Sequence, residues 1–135
     1  MLYHITLHLA RNKQFPEGSP RYGYELTAPL DASGHLDQEE WACKRSLCRV
    51  RRFWGDEGER QGVLIHRPGG SGGATWMIDY NQGRPGDEEA GYHLNQHRFV
   101  EGEYVTIQDE DEKPYTFEIV SVRHAEPSPA EGRRL

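Results

Sequence analysis

From Leu2 to Ala10 the chain alternates without interruption. Tyr3, Ile5, Leu7 and Leu9 fall on one face, and His4, Thr6 and His8 on the other. A period of two is what a strand buried on one side requires, and it conflicts with a helix, whose apolar positions recur every three or four residues. The pattern returns along the chain. Tyr22, Tyr24, Leu26 and Ala28 share a face after the break at Pro16, Gly18, Ser19 and Pro20. Cys48, Val50, Arg52 and Trp54 share another, with Arg49, Arg51 and Phe53 opposite. Residues 62–67 and 74–80 form a hairpin pattern around the glycine-rich turn 68–73, and residues 103–108 and 115–123 form a second around Asp109–Glu112. Connections this short cannot hold the crossover that parallel strands need, so the pairing is antiparallel. The expected fold is α+β and mostly β: six or seven strands in a strongly curved antiparallel sheet or small, partly open β-barrel.

One helix is expected, beginning at Asp37. Asp37 is placed to cap it, Glu40 stands three residues on to complete a capping box, and Leu36 can staple against Trp41. The helix must be short, because alternation resumes at Cys48, and it is expected to cover one end or face of the sheet. Residues 81–99 show no clear period, and Gly83, Pro85, Gly86 and Gly91 interrupt them. A structureless loop of that length is uncommon in a compact domain, so the segment is a flap, a mobile insertion or a concealed strand, with Tyr92–Leu94 the best candidate for the last. The expected organisation is one β-rich domain over residues 1–125 and a disordered tail over 126–135, where Pro127, Pro129 and Gly132 fall.

Charge is unevenly spread. Residues 41–54 hold five of the chain's sixteen Lys and Arg residues and no Asp or Glu, so they carry +5; the net −6 less this +5 leaves −11 elsewhere. Such segregation marks an anion-binding surface or internal pairing with acidic neighbours. The periodicity divides the block between helix and strand, which weakens any single continuous patch. The longest aliphatic run is Val63-Leu64-Ile65, far short of a membrane span, and no secretion-signal pattern opens the chain. Cys43 and Cys48 fit no metal-site spacing and are expected to be reduced thiols in a cytoplasmic protein.

Several local patterns invite a chemical reading and then fail a test of geometry. The glycines at 69–73 precede a strand pattern, whereas a phosphate loop opens a helix and continues into Gly-Lys-Ser/Thr. Asp109 and Asp111 lack the central glycine and closing glutamate of a calcium loop. His4 and His8 share a face, but four strand residues span about 13 Å, too far for one ion. No metal and no cofactor is therefore expected.

Charged residues on faces that alternation turns inward are more informative. Arg52 falls between Val50 and Trp54, and Asp79 shares a face with Met77 and Thr75. If both point inward, an Arg52–Asp79 pair would satisfy them, since an unpaired buried charge costs several kcal/mol. Arg52, His66, Asp79 and His97 would then line a polar pocket flanked by Trp54 and Trp76. The alternative is an ion pair that only fixes strand register. For nucleic acid, Arg49, Arg51 and Phe53 present a face able to meet phosphates and stack a base, against an acidic balance and no recognition motif.

The strings Tyr24-Glu25-Leu26-Thr27-Ala28-Pro29-Leu30-Asp31, Arg49-Val50-Arg51-Arg52-Phe53-Trp54, His66-Arg67-Pro68-Gly69-Gly70 and Gly102-Glu103-Tyr104-Val105 together resemble a family of small uncharacterised bacterial proteins. The resemblance covers most of residues 20–124 and implies a stand-alone bacterial domain of unassigned function, with no activity, cofactor or catalytic residue attached. Three functions remain in order of preference. The first is a non-catalytic binding module, for a protein partner or a small anionic ligand, using a concave sheet face or the 81–99 segment. The second is a small enzyme built around His66, Asp79 and His97 with Arg52 holding an anionic group. The third is nucleic-acid binding. No membrane partner is expected.

Overall fold

The computed structural model describes residues 1–67, 75–80, 88–91, 98–108 and 113–125. Its strands are β1 (Leu2–Leu9), β2 (Ser19–Pro29), β3 (Arg49–Trp54), β4 (Glu59–Arg67), β5 (Thr75–Asp79), β6 (Glu88–Gly91), β7 (Tyr104–Gln108) and β8 (Pro114–His124). One helix, α1 (Gln38–Cys43), and a 3-10 turn at Arg45–Leu47 separate β2 from β3. All eight strands join one antiparallel sheet in the order β6-β5-β4-β3-β2-β1-β8-β7. The edge strands β6 and β7 come within 8 Å of each other at their Cα atoms without forming a ladder. The sheet is thus a partly open barrel, as the alternation and short connections require, with one strand more than the periodicity alone resolves. No helix among the described residues is long and apolar enough to cross a membrane.

Register turns the alternation into a core. Ile5 faces Leu26, Leu26 faces Val50, and Leu7 faces both Tyr24 and Ile119 across their ladders. Ile5, Leu7, Tyr24, Val50, Leu64, Trp76, Phe117 and Ile119 are all buried on this inner face. The concave side of the described sheet is therefore packed by side chains that form the core. Between Thr6 and Leu7 the pairing with β8 slips, because Ser121 and Ile119 are the successive partners and Val120 has none. This bulge bends β8 and turns Val120 outward, where it stays exposed. At Gly62 a side chain would collide with the neighbouring strand: a Cβ there would lie 2.5 Å from the Asp79 carbonyl oxygen.

The strand hidden in residues 81–99 is β6, which ends where the candidate Tyr92–Leu94 begins. It is an edge strand carrying Glu88 and Glu89, and edge strands tolerate charge that a central strand would not. Tyr92–Leu94 themselves, the glycine-rich turn, the acidic turn 109–112 and the tail 126–135 lie outside the described residues.

Helix α1 is capped as its sequence predicts, with Asp37 Oδ1 accepting from the Glu40 backbone N–H at 3.2 Å. The reciprocal half of the box does not form. The Asp37 N–H already donates to the Pro29 carbonyl at 3.0 Å, so no donor is left for Glu40. Glu40 turns instead to the Met1 amino group at 2.5 Å and to Lys44 Nζ at 2.9 Å. Those cations, the amino group foremost, hold its carboxyl below the usual range. Leu36 and Trp41, the two halves of the expected staple, are both buried in the core.

Candidate functional site

Strand β4 outruns its neighbour. Arg49 at the start of β3 faces Val63, so residues 64–67 of β4 continue beyond the β3 ladder. Cys48 would be the next partner of Leu64, and it does accept the Leu64 N–H at 2.8 Å. It cannot return the bond, because the Cys48 N–H closes the 3-10 turn on the Arg45 carbonyl at 3.1 Å. The Leu64 carbonyl would then be buried without a donor. Trp41 supplies one, its indole Nε1 donating to Leu64 O at 2.9 Å. The helix is thereby stitched to the sheet where the ladder fails.

Around that stitch the rings collect. Trp41 meets Trp76 edge-on at 5.6 Å between centroids, and the His66 ring lies 4.6 Å from Trp76 and 5.8 Å from Trp41. His66 and Trp76 are register partners on the inner face. Burial pushes the His66 pKa below the ordinary imidazole value, so the ring is neutral at neutral pH. Arg45, one turn beyond Trp41, lays its guanidinium 4.6 Å from the Trp41 ring centroid.

An open groove of about 620 Å³ lies where β3 begins and β4 runs on past it. Val63 and Ile65 supply its apolar part, Arg45 and Arg49 its positive charge, and Ser46, His66 and Asp79 further polar groups. Neither Arg45 nor Arg49 makes an ion pair among the described residues. Arg21 and Arg51, by contrast, are held by carboxylates. Although a serine, a histidine and an aspartate line one groove, no hydrogen bond joins Ser46 to His66 among the described residues. The link from nucleophile to base that an activated serine needs is thus not made.

The pocket expected from sequence divides in two. His66 and Asp79 line this groove, and Trp76 stands buried behind His66. Arg52 and Trp54 lie elsewhere, with the Arg52 guanidinium stacked 3.9 Å from the Trp54 ring centroid. Arg52 faces Tyr24 and Arg60 in register, while Asp79 faces Val63 two strands away. Trp54 belongs to an aromatic cluster with Tyr22 at 5.1 Å and Tyr115 at 5.3 Å. The face expected for Asp79 is reversed. Trp76 and Ile78 are the buried residues of β5, which puts Met77 and Asp79 on the outer side. His97 lies outside the described residues.

The outward trio also separates. Arg51 is clamped between Glu25 at 2.8 Å and Glu59 at 2.6 Å, and its guanidinium lies 5.0 Å from the Phe53 ring centroid. Phe53 meets His8 edge-on at 6.1 Å. Charge and ring are both engaged within the protein, and Arg49 alone of the three faces the groove. Among the described residues no group of three or more His, Cys, Asp or Glu side chains could hold a metal ion.

Sequence reasoning missed Trp41, Arg45 and Ser46. Only the Trp41–Arg45 spacing of four carries a signal, since such a pair meets across one helical turn. Comparison with protein-family models, with curated proteins and with solved structures gives no match for this chain.

Proposed function

We propose that this protein is a non-catalytic binding module that takes an anionic group, carboxylate or phosphate, in the groove between the 3-10 turn and β4. The observation that carries the reading is the pair Arg45 and Arg49, whose charges no described carboxylate neutralises, set beside the apolar Val63 and Ile65. Guanidinium groups offer planar, paired donors suited to either oxyanion. The unlinked Ser46 and His66 support binding over catalysis. A cytoplasmic location belongs to the same proposal and is supported by two free thiols, Cys43 and Cys48.

Calorimetric titration with benzoate and with inorganic phosphate tests it. Saturable binding is expected, weakened roughly tenfold in an Arg45→Ala/Arg49→Ala double variant, since each exposed charge contact contributes about 0.5–1 kcal/mol. Binding of equal strength in the double variant would overturn the assignment.

A further inference from the structure

The groove does not end at Arg49. The same residue lines a second, smaller groove of about 390 Å³ on the outer face of the sheet, together with His4, Thr27 and Arg123. The ladders place these residues in one row. Arg123 faces His4, and His4 faces Thr27. Carrying the Leu26–Val50 register one residue further sets Thr27 beside Arg49, and Arg49 faces Val63. Read across the strands, the row runs guanidinium, imidazole, hydroxyl, guanidinium, apolar. His4 Nδ1 and Thr27 Oγ1 are hydrogen-bonded at 3.0 Å, which fixes the middle of the row. The parallel row one step along is already neutralised, because Glu25 and Glu59 clamp Arg51.

Arg123, like Arg49, makes no ion pair among the described residues and is exposed. Three interstrand steps separate the two arginines, about 14 Å of backbone at 4.8 Å per step. In an extended peptide, side chains four residues apart lie on one face and about 13 Å apart. Two carboxylates at that spacing match both guanidinium groups at once. Single-stranded nucleic acid fits less well, because between Arg49 and Arg123 the row holds no Phe, Tyr or Trp on which bases could stack.

Resting on the anion-binding reading above, we infer that the natural occupant is an extended acidic peptide segment of a partner protein. It crosses β3, β2, β1 and β8 on the outer face, with one carboxylate at Arg49 and another at Arg123.

The test is fluorescence anisotropy with a labelled ten-residue peptide alternating Glu and Thr, against a Lys–Thr counterpart, a ten-nucleotide oligodeoxythymidine and unlabelled benzoate as competitor. The Glu–Thr peptide is expected to bind and the Lys–Thr peptide not. Arg49→Ala and Arg123→Ala should each weaken binding about threefold, and together roughly tenfold. Benzoate should compete at the Arg49 end only, so that it displaces the peptide less readily from wild type than from Arg123→Ala. If Arg123→Ala leaves peptide affinity unchanged while Arg45→Ala/Arg49→Ala abolishes it, the groove reading survives and the extended occupant is refuted. Tighter binding of the oligonucleotide would refute the peptide class. If neither benzoate nor peptide binds, the underlying reading fails as well.

Discussion

Replacing Trp41 by Phe isolates the stitch between α1 and β4. The substitution keeps an aromatic ring in the core but removes the indole N–H, the donor that serves the Leu64 carbonyl at 2.9 Å. The backbone N–H that would ordinarily replace it, that of Cys48, is committed to Arg45 O. The carbonyl is thus left buried and unsatisfied, a cost of about 1–3 kcal/mol. The smaller ring loses part of its contact with Trp76, worth about another 1 kcal/mol. The expected loss is about 2–4 kcal/mol, which for a chain of this size lowers Tm by roughly 7–14 °C. Trp54→Phe is the matched control, because among the described residues Trp54 makes ring contacts and its indole N–H forms no hydrogen bond. Its loss should stay near 1 kcal/mol. Urea unfolding and calorimetry on both variants measure the difference. Equal destabilisation of the two would refute the claim that the indole N–H completes the failed ladder.

Other consequences follow from the same contacts. Gly62→Ala should cost about 1–3 kcal/mol, because the new Cβ meets backbone at Asp79 O and not a side chain that could move away; urea midpoints would show it. The lowered His66 pKa gives stability a pH dependence of definite sign. The unfolded chain binds the His66 proton more readily than the fold does, so its contribution is present above pH ~6.5 and is lost as pH falls towards the folded pKa. Replacing His66 by Phe should flatten that acid limb, and a limb unchanged in the variant would assign the effect to other groups. Arg51→Ala should leave benzoate affinity unchanged in calorimetric titration, since Glu25 and Glu59 already hold that charge.

Most of the sheet was legible because burial on one side enforces a period of two, which Ile5, Leu7 and Leu9 of β1 and Tyr24, Leu26 and Ala28 of β2 obey, although at the start of β1 Leu2 is buried and Tyr3 only partly so. β6 was concealed because an edge strand answers to a single neighbour, which let two glutamates stand where periodicity would look for apolar residues. The face of β5 was ambiguous for another reason. Thr75, Met77 and Asp79 alternate with Trp76 and Ile78, and apolar residues occur on both sides. Only the pairing of Ile78 with Leu64 decides which side is inner, and that is a long-range fact. The candidate site was half visible. His66 and Asp79 line one groove, Asp79 from the face opposite to the one expected, whereas Arg52 stays with Trp54. Trp41 and Arg45 enter only because the Cys48 N–H is taken by a turn, and no local pattern announces that.

The central claim is that an anionic group binds where β3 begins, beside Arg45, Arg49 and Trp41. The most direct measurement is a benzoate titration of the ¹⁵N-labelled protein followed by heteronuclear NMR. The account predicts that the Trp41 indole resonance and the backbone amides of residues 45–49 and 63–66 shift together and saturate, while the Trp54 indole stays fixed. Shifts centred on Trp54, or none at any benzoate concentration, would contradict it.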